Sequence, residues 1–162
     1  MMHFCEQQAH AVLKACRQKG LLLTTVESCT GGLIAANLTG ISGSSDVLDC
    51  GFVVYSNESK TRLVGVCAEL IKIYGAVSRE VAIAMAEGGL KYSQAQIAIA
   101  VTGIAGPKGA CPDKPVGLVH FAVARKNYES LHTEMRFKNF ERNAIRYATV
   151  ENALKMILTS LQ

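Results

Sequence analysis

No two cysteines in this chain stand at Cys-x-x-Cys spacing, and the histidines do not cluster with them. The six thiols are scattered at positions 5, 16, 29, 50, 67 and 111, which excludes a zinc knuckle and reads as reduced, mostly buried small hydrophobes. No apolar run approaches the length of a membrane span. The opening Met1-Met2-His3-Phe4-Cys5-Glu6 lacks the basic-then-apolar order of a secretory signal, so the expected location is the cytoplasm. No basic stretch is interleaved with aromatics, and a net charge of +4 is too mild to call for nucleic acid. It suits a small anionic substrate. Proline is confined to the loop between Gly103 and Pro115, and neither a Walker loop nor a Gly-x-Gly-x-x-Gly fingerprint is present. Internal repeats and low-complexity segments are missing too.

What is there is a chain of 162 residues, 49% apolar and 19% charged, enough for one domain over 1–162 with a real core. The apolar face of Ala9, Val12, Leu13 and Cys16 predicts a helix over Phe4 to Lys19, stopped by Gly20. Strands are expected at Leu21–Val26, Cys50–Tyr55 and Gln96–Val101, the last buried on both faces. Helices are expected at Thr30–Leu38, Asn57–Val64 and from an N-cap at Ser78 to Tyr92. Val116–Ala124 and Leu131–Lys138 read as a hairpin whose second arm has one wet face, followed by a final helix from Phe140 to Leu161. Alternating helices and strands predict an α/β fold: one three-layer α/β/α sandwich with a mixed central sheet.

The run Glu27-Ser28-Cys29-Thr30-Gly31-Gly32 joins a strand to a helix. At such a junction free backbone N–H groups converge and can hold an anion or an oxyanion, and Thr30, Gly31 and Gly32 let the backbone come close. Ser28 is a nucleophile only if a base takes its proton. Lys60 is the candidate base, one helical turn into its element, with Tyr55 at a strand end to relay the proton or orient the ammonium. An ordinary N-cap serine and a solvated lysine are the competing interpretation of these residues taken singly. Cys29, the rival nucleophile, falls on the opposite face from Ser28 by strand alternation. Thr102, Gly103 and Gly106 leave a buried strand in a loop that could bind an anion. Asn57 fits a cap or turn as well as a site. Arg142 and Arg146, four apart on one helix face, could clamp a phosphate, and Glu27 could orient Lys60 or a ribose hydroxyl, or pair with one of these arginines.

Together these segments resemble the CinA carboxy-terminal domain family, the nicotinamide-nucleotide amidases. The matching pieces are Glu27 to Gly32, Gly43-Ser44-Ser45, Gly51 to Glu58, Lys60, Gly75-Ala76-Val77-Ser78, Ala84 to Gly88, Val101 to Pro107 and Lys114-Pro115-Val116-Gly117. The resemblance implies the α/β/α fold and hydrolysis of the carboxamide of nicotinamide mononucleotide to nicotinate mononucleotide and ammonia, with neither cofactor nor metal. It implies Ser28, Tyr55 and Lys60 as the catalytic trio, and Ser44 among the substrate contacts. Many relatives carry a further amino-terminal domain for which 162 residues leave no room, so the stand-alone form is expected. Lys108 to Asp113 departs from the Gly- and Ser-rich pattern of relatives. A non-catalytic nucleotide-binding or interaction module, and an amidase for another small carboxamide, are the alternatives. Assembly into a homo-oligomer is left open.

Overall fold

The computed structural model describes residues 5–162. The first helix, α1 (Glu6–Lys19), ends on Gly20 in the left-handed conformation, as expected; Phe4, predicted to begin it, lies outside the described residues. Then follow β1 (Leu23–Glu27), α2 (Leu33–Thr39), a 3-10 turn (Ser44–Asp46), β2 (Leu48–Val53) and α3 (Asn57–Val64). The chain continues through α4 (Ala68–Tyr74), α5 (Arg79–Lys91), β3 (Ile97–Gly103), β4 (Leu118–Arg125), β5 (Leu131–Arg136) and α6 (Arg142–Ser160). The sheet order is β2-β1-β3-β4-β5. β1 lies parallel to both β2 and β3, while β3, β4 and β5 run antiparallel. This is the mixed, helix-covered sheet the sequence predicts.

Two cores flank the sheet. Helices α1, α2 and α6 bury Leu13, Ile34, Leu38, Ile145 and Leu154 against Leu23, Ile97, Ile99 and Phe121. On the other face α3, α4 and α5 bury Val64, Ile71, Val81 and Met85 against Val26, Ala100, Ala122 and Ala124. The strand Ile97-Ala98-Ile99-Ala100 thus presents large side chains to one layer and alanines to the other. The alanine face lets α5 lie close to the sheet. A Cβ on Gly89 would come within 2.6 Å of Val26 Cγ2 and 3.3 Å of Ala98 Cβ.

Differences from the sequence reading have local causes. The helix expected from Thr30 starts at Leu33, because Gly31 and Gly32 take φ of 60° and 102°, outside the helical region. The strand expected over Cys50–Tyr55 runs two residues earlier, since the carbonyls of Val54 and Tyr55 leave the ladder for the Lys60 amine. Helix α4 was not anticipated. It is short and has no side-chain cap at its start, although Leu70, Ile71 and the terminating Gly75 are readable signals.

The connections place a crevice. β1 exits into α2 on one face of the sheet, and β2 exits into α3 on the other. Neighbouring parallel strands whose connections part in this way leave a gap at their carboxyl ends. Helix α3 docks on α5 at Gly88, where an added Cβ would collide with the Val64 carbonyl oxygen. Helix propensity alone would make Gly88→Ala stabilising by up to ~1 kcal/mol. Overpacking against backbone makes it destabilising by about 1–3 kcal/mol instead. Urea denaturation of the variant reads the sign.

Candidate active site

Ser28 is the first residue past β1. Its N–H donates to the Val101 carbonyl at 3.1 Å, extending the β1–β3 ladder, and the Val54 N–H donates to the Glu27 carbonyl at 2.8 Å on the other side. The serine is therefore fixed by both neighbouring strands at the crevice mouth. From α3 comes Lys60, only 1% exposed. Its Nζ lies 3.1 Å from Ser28 Oγ, 2.9 Å from the Val54 carbonyl oxygen and 3.3 Å from the Tyr55 carbonyl oxygen. Helix α3 starts where it does because Ser56 caps it, accepting from the Ser59 N–H at 3.1 Å. One turn later the Lys60 side chain folds back under the strand end.

These partners bear on protonation. No carboxylate touches the amine, and burial pushes its pKa down from the ordinary lysine value, the negative potential of the Cys29 thiolate opposing the shift. That opposition needs the thiolate, and burial holds the Cys29 thiol protonated up to about 12. A neutral amine has two N–H donors and one lone pair. The two carbonyls take the donors, which leaves the lone pair for the Ser28 hydroxyl proton.

A cleft of about 220 Å³ opens on this pair. Its walls include Tyr55 and Asn57 on one side, Thr102, Gly103 and Gly106 on another, and Lys108 and Arg142 at the rim. Larger hollows lie nearby, one of about 460 Å³ between α3 and α4 and one of about 560 Å³ beside the start of α6. Neither contains a nucleophile with a base in contact. Tyr55 is 62% exposed, and its hydroxyl accepts from Arg142 Nη2 at 3.0 Å rather than bonding to Ser28 or Lys60. Arg142 Nη1 also donates to the Gly106 carbonyl at 2.7 Å, which ties the loop after β3 to α6. Thr102 spends its hydroxyl on the Ala76 carbonyl at 2.8 Å and so fixes the segment ahead of α5.

Four expectations need correction. Glu27 neither orients Lys60 nor pairs with an arginine. Its Oε2 accepts from Thr30 Oγ1 at 2.6 Å, Gly32 N–H at 3.1 Å and Ile34 N–H at 3.0 Å, and its Oε1 from Ala35 N–H at 2.9 Å. A buried carboxylate on the free N–H groups of a helix start is the favoured charge at that end. It follows that Gly32 has no N–H left for substrate, and the Gly31 N–H is spent on the Ser28 carbonyl at 3.1 Å. Arg146 donates to the Cys29 and Thr30 carbonyls at 3.2 and 3.0 Å, pinning α6 to this turn instead of reaching the cleft. Ser44 sits just ahead of β2, by the amino ends of the parallel strands where Leu23 pairs with Leu48, so it is at the far edge of the sheet from Ser28. Lys108, in contrast, lines the cleft and was not singled out from the sequence; its place in the loop after β3, beside Gly106, was the available signal.

The fold and cleft define a class: a three-layer α/β/α protein with a buried lysine amine against a serine hydroxyl, at the carboxyl ends of parallel strands. The chain belongs to the CinA C-terminal domain family, whose model matches residues 5–161. A CinA-like protein from Acidobacterium capsulatum is 50% identical over 146 residues, covering 90% of this chain and 35% of its own length. The chain spans about a third of the length of the curated relatives it matches first, 35% and 37% of two others. Among solved structures, the competence/damage inducible protein CihA from Agrobacterium tumefaciens superposes with a TM-score of 0.96 at 48% identity, over 98% of this chain and 96% of that one. A competence or damage-inducible protein from Enterobacter asburiae gives 0.92 at 31% identity, over 97% and 98%.

Glu27→Gln tests the reassignment of that carboxylate. An amide cannot accept on both sides, so at least one buried donor at the start of α2 loses its partner. The expected loss is about 1–3 kcal/mol of stability, measured by denaturant unfolding.

Proposed function

We propose that this chain hydrolyses the carboxamide of nicotinamide mononucleotide to nicotinate mononucleotide and ammonia, with Ser28 as nucleophile and Lys60 as its base. The observation that carries this reading is the 3.1 Å contact between Lys60 Nζ and Ser28 Oγ, made by an amine whose other partners are neutral carbonyls. A serine nucleophile requires a base that is unprotonated when it reacts, and burial shifts the Lys60 amine in that direction. The family resemblance supplies the substrate.

Lys60, neutral, takes the Ser28 proton as Oγ adds to the carboxamide carbon. The tetrahedral oxyanion is held by backbone donors of the cleft. With Gly31 and Gly32 engaged, these are sought in the Ala105–Gly106 wall, where among the described residues neither N–H has a recorded protein acceptor. Collapse breaks the C–N bond, and the Lys60 ammonium delivers its proton to the leaving nitrogen, releasing ammonia. Water then attacks the acyl ester, Lys60 takes one of its protons and returns it to Ser28 Oγ as the C–O bond breaks, and the acid gives its remaining proton to solvent and leaves as carboxylate. The exposed Tyr55 ring offers a π face to the cationic pyridinium, and Arg142 holds its hydroxyl in place. In this mechanism the phenol aligns substrate and need not relay the proton, because the amine reaches the serine directly.

The decisive assay is ammonia and nicotinate mononucleotide release by the purified protein. Ser28→Ala and Lys60→Met should each lose on the order of a thousandfold or more in kcat, as groups acting as a unit do. Wild-type turnover in both variants would end the proposal. The acid limb of kcat/KM should titrate below the ordinary lysine value of ~10.4, since activity needs the neutral amine and burial favours that form. Activity therefore rises with pH through the lowered Lys60 pKa and is lost on acidification below it. A limb that stays unshifted from that of free lysine would count against Lys60 as the base.

A further inference from the structure

Among acidic and basic side chains, those around the cleft are one-sided. Lys60, Lys108 and Arg142 line it, and no aspartate or glutamate does. Two of these three basic side chains are already committed. Lys60 is buried against Ser28 and two carbonyls, and Arg142 is engaged by Gly106 and Tyr55. Lys108 has no recorded hydrogen-bond or ion-pair partner among the described residues and is exposed at the rim. Its loop is nevertheless held in place. The Arg142 guanidinium grips the Gly106 carbonyl at 2.7 Å, the Gly117 N–H donates to the Ile104 carbonyl at 2.7 Å, and Lys114 Nζ donates to the Tyr74 carbonyl at 2.6 Å. A free ammonium on a tethered loop, facing a reaction cleft, is a preorganised anion receptor.

We propose that Lys108, which lines the same cleft as Arg142, is the residue that selects a phosphomonoester on the substrate whose carboxamide lies at Ser28. This rests on the amidase reading for the other end of the ligand. The neighbouring hollows are poorer homes for the phosphate. The one beside the start of α6 sets Glu141 beside Arg142, whose guanidinium is bound to Gly106 and Tyr55, and the one between α3 and α4 sets Glu58 with Arg62 and Lys72, away from Ser28. The Arg146 clamp expected from the sequence is unavailable, its guanidinium being bound to main chain. The anion is therefore directed to the Lys108 side of the rim.

Steady-state kinetics of Lys108→Gln, with Arg62→Gln alongside, on nicotinamide mononucleotide and on its dephosphorylated nucleoside tests the assignment. Lys108→Gln should raise KM for the mononucleotide on the order of tenfold, the worth of one charge-assisted hydrogen bond. The kcat should hold, the KM for the nucleoside should not move, and Lys108→Arg should restore the mononucleotide KM. Arg62→Gln should change neither substrate. An equal effect on both substrates, no effect on either, or loss of discrimination in Arg62→Gln instead overturns the proposal. Calorimetry with ribose 5-phosphate on the Ser28→Ala protein separates this from the chemistry. Binding that weakens on adding Lys108→Gln, in a protein that releases no ammonia from any carboxamide, upholds the anion site and sinks the amidase reading. Wild-type ammonia release with no role for Lys108 in either measurement does the reverse.

Discussion

A primary amine withdrawn from water is the constraint around which this molecule is arranged. Lys60 is among the largest fully buried side chains, and among the described residues no carboxylate bonds to it. Desolvation of an ammonium without a counter-charge is expensive, so the site favours the free base. The strand β2 ends where it does because its next two carbonyls are given to that amine. Helix α3 is capped so that its first turn delivers the lysine back under the strand. The small-residue face of β3 and β4 and the glycines of α5 let the covering helices settle close enough to shut water out.

The carboxylate next to the serine illustrates how a site keeps charges from cancelling. Glu27 is adjacent to Ser28 in sequence, yet alternation along β1 sends its side chain to the opposite face of the sheet. There it satisfies the start of α2 through four hydrogen bonds. Were it to reach Lys60, it would favour the ammonium over the free amine. Arg146 performs a parallel task, binding the carbonyls of Cys29 and Thr30 so that the turn carrying the serine is fixed from outside. Residues that looked like ligand contacts are thus the scaffold of the turn that carries Ser28.

Much of the fold was readable because its signals are local. Gly20 ends α1, Ser78 caps α5, and α3 occupies the residues its pattern predicts. The hairpin of β4 and β5 follows from alternation around a turn at Asn127, whose φ of 66° suits asparagine. Helix α4 escaped because seven residues with no capping side chain give little periodicity to detect. The site divides differently. Ser28, Lys60, Asn57 and the Thr102–Gly106 loop were picked out and do meet in one cleft. Glu27, Gly31, Gly32, Ser44 and Arg146 do not serve it, because residue type and spacing say what a group can bind and not which partner reaches it first.

The amino-acid sequence by itself determined the alternation of elements, the serine at a strand–helix turn and the family to which the chain belongs. These follow from periodicity, capping and ordered motifs, all carried by residues close together in the chain. Only the tertiary structure decided that the Lys60 amine is buried against Ser28, that Glu27 turns away from it, and that Lys108 stands exposed at the rim without a partner among the described residues. Each of those depends on groups tens of residues apart competing for the same few donors and acceptors, and on the exclusion of water, which no local pattern encodes.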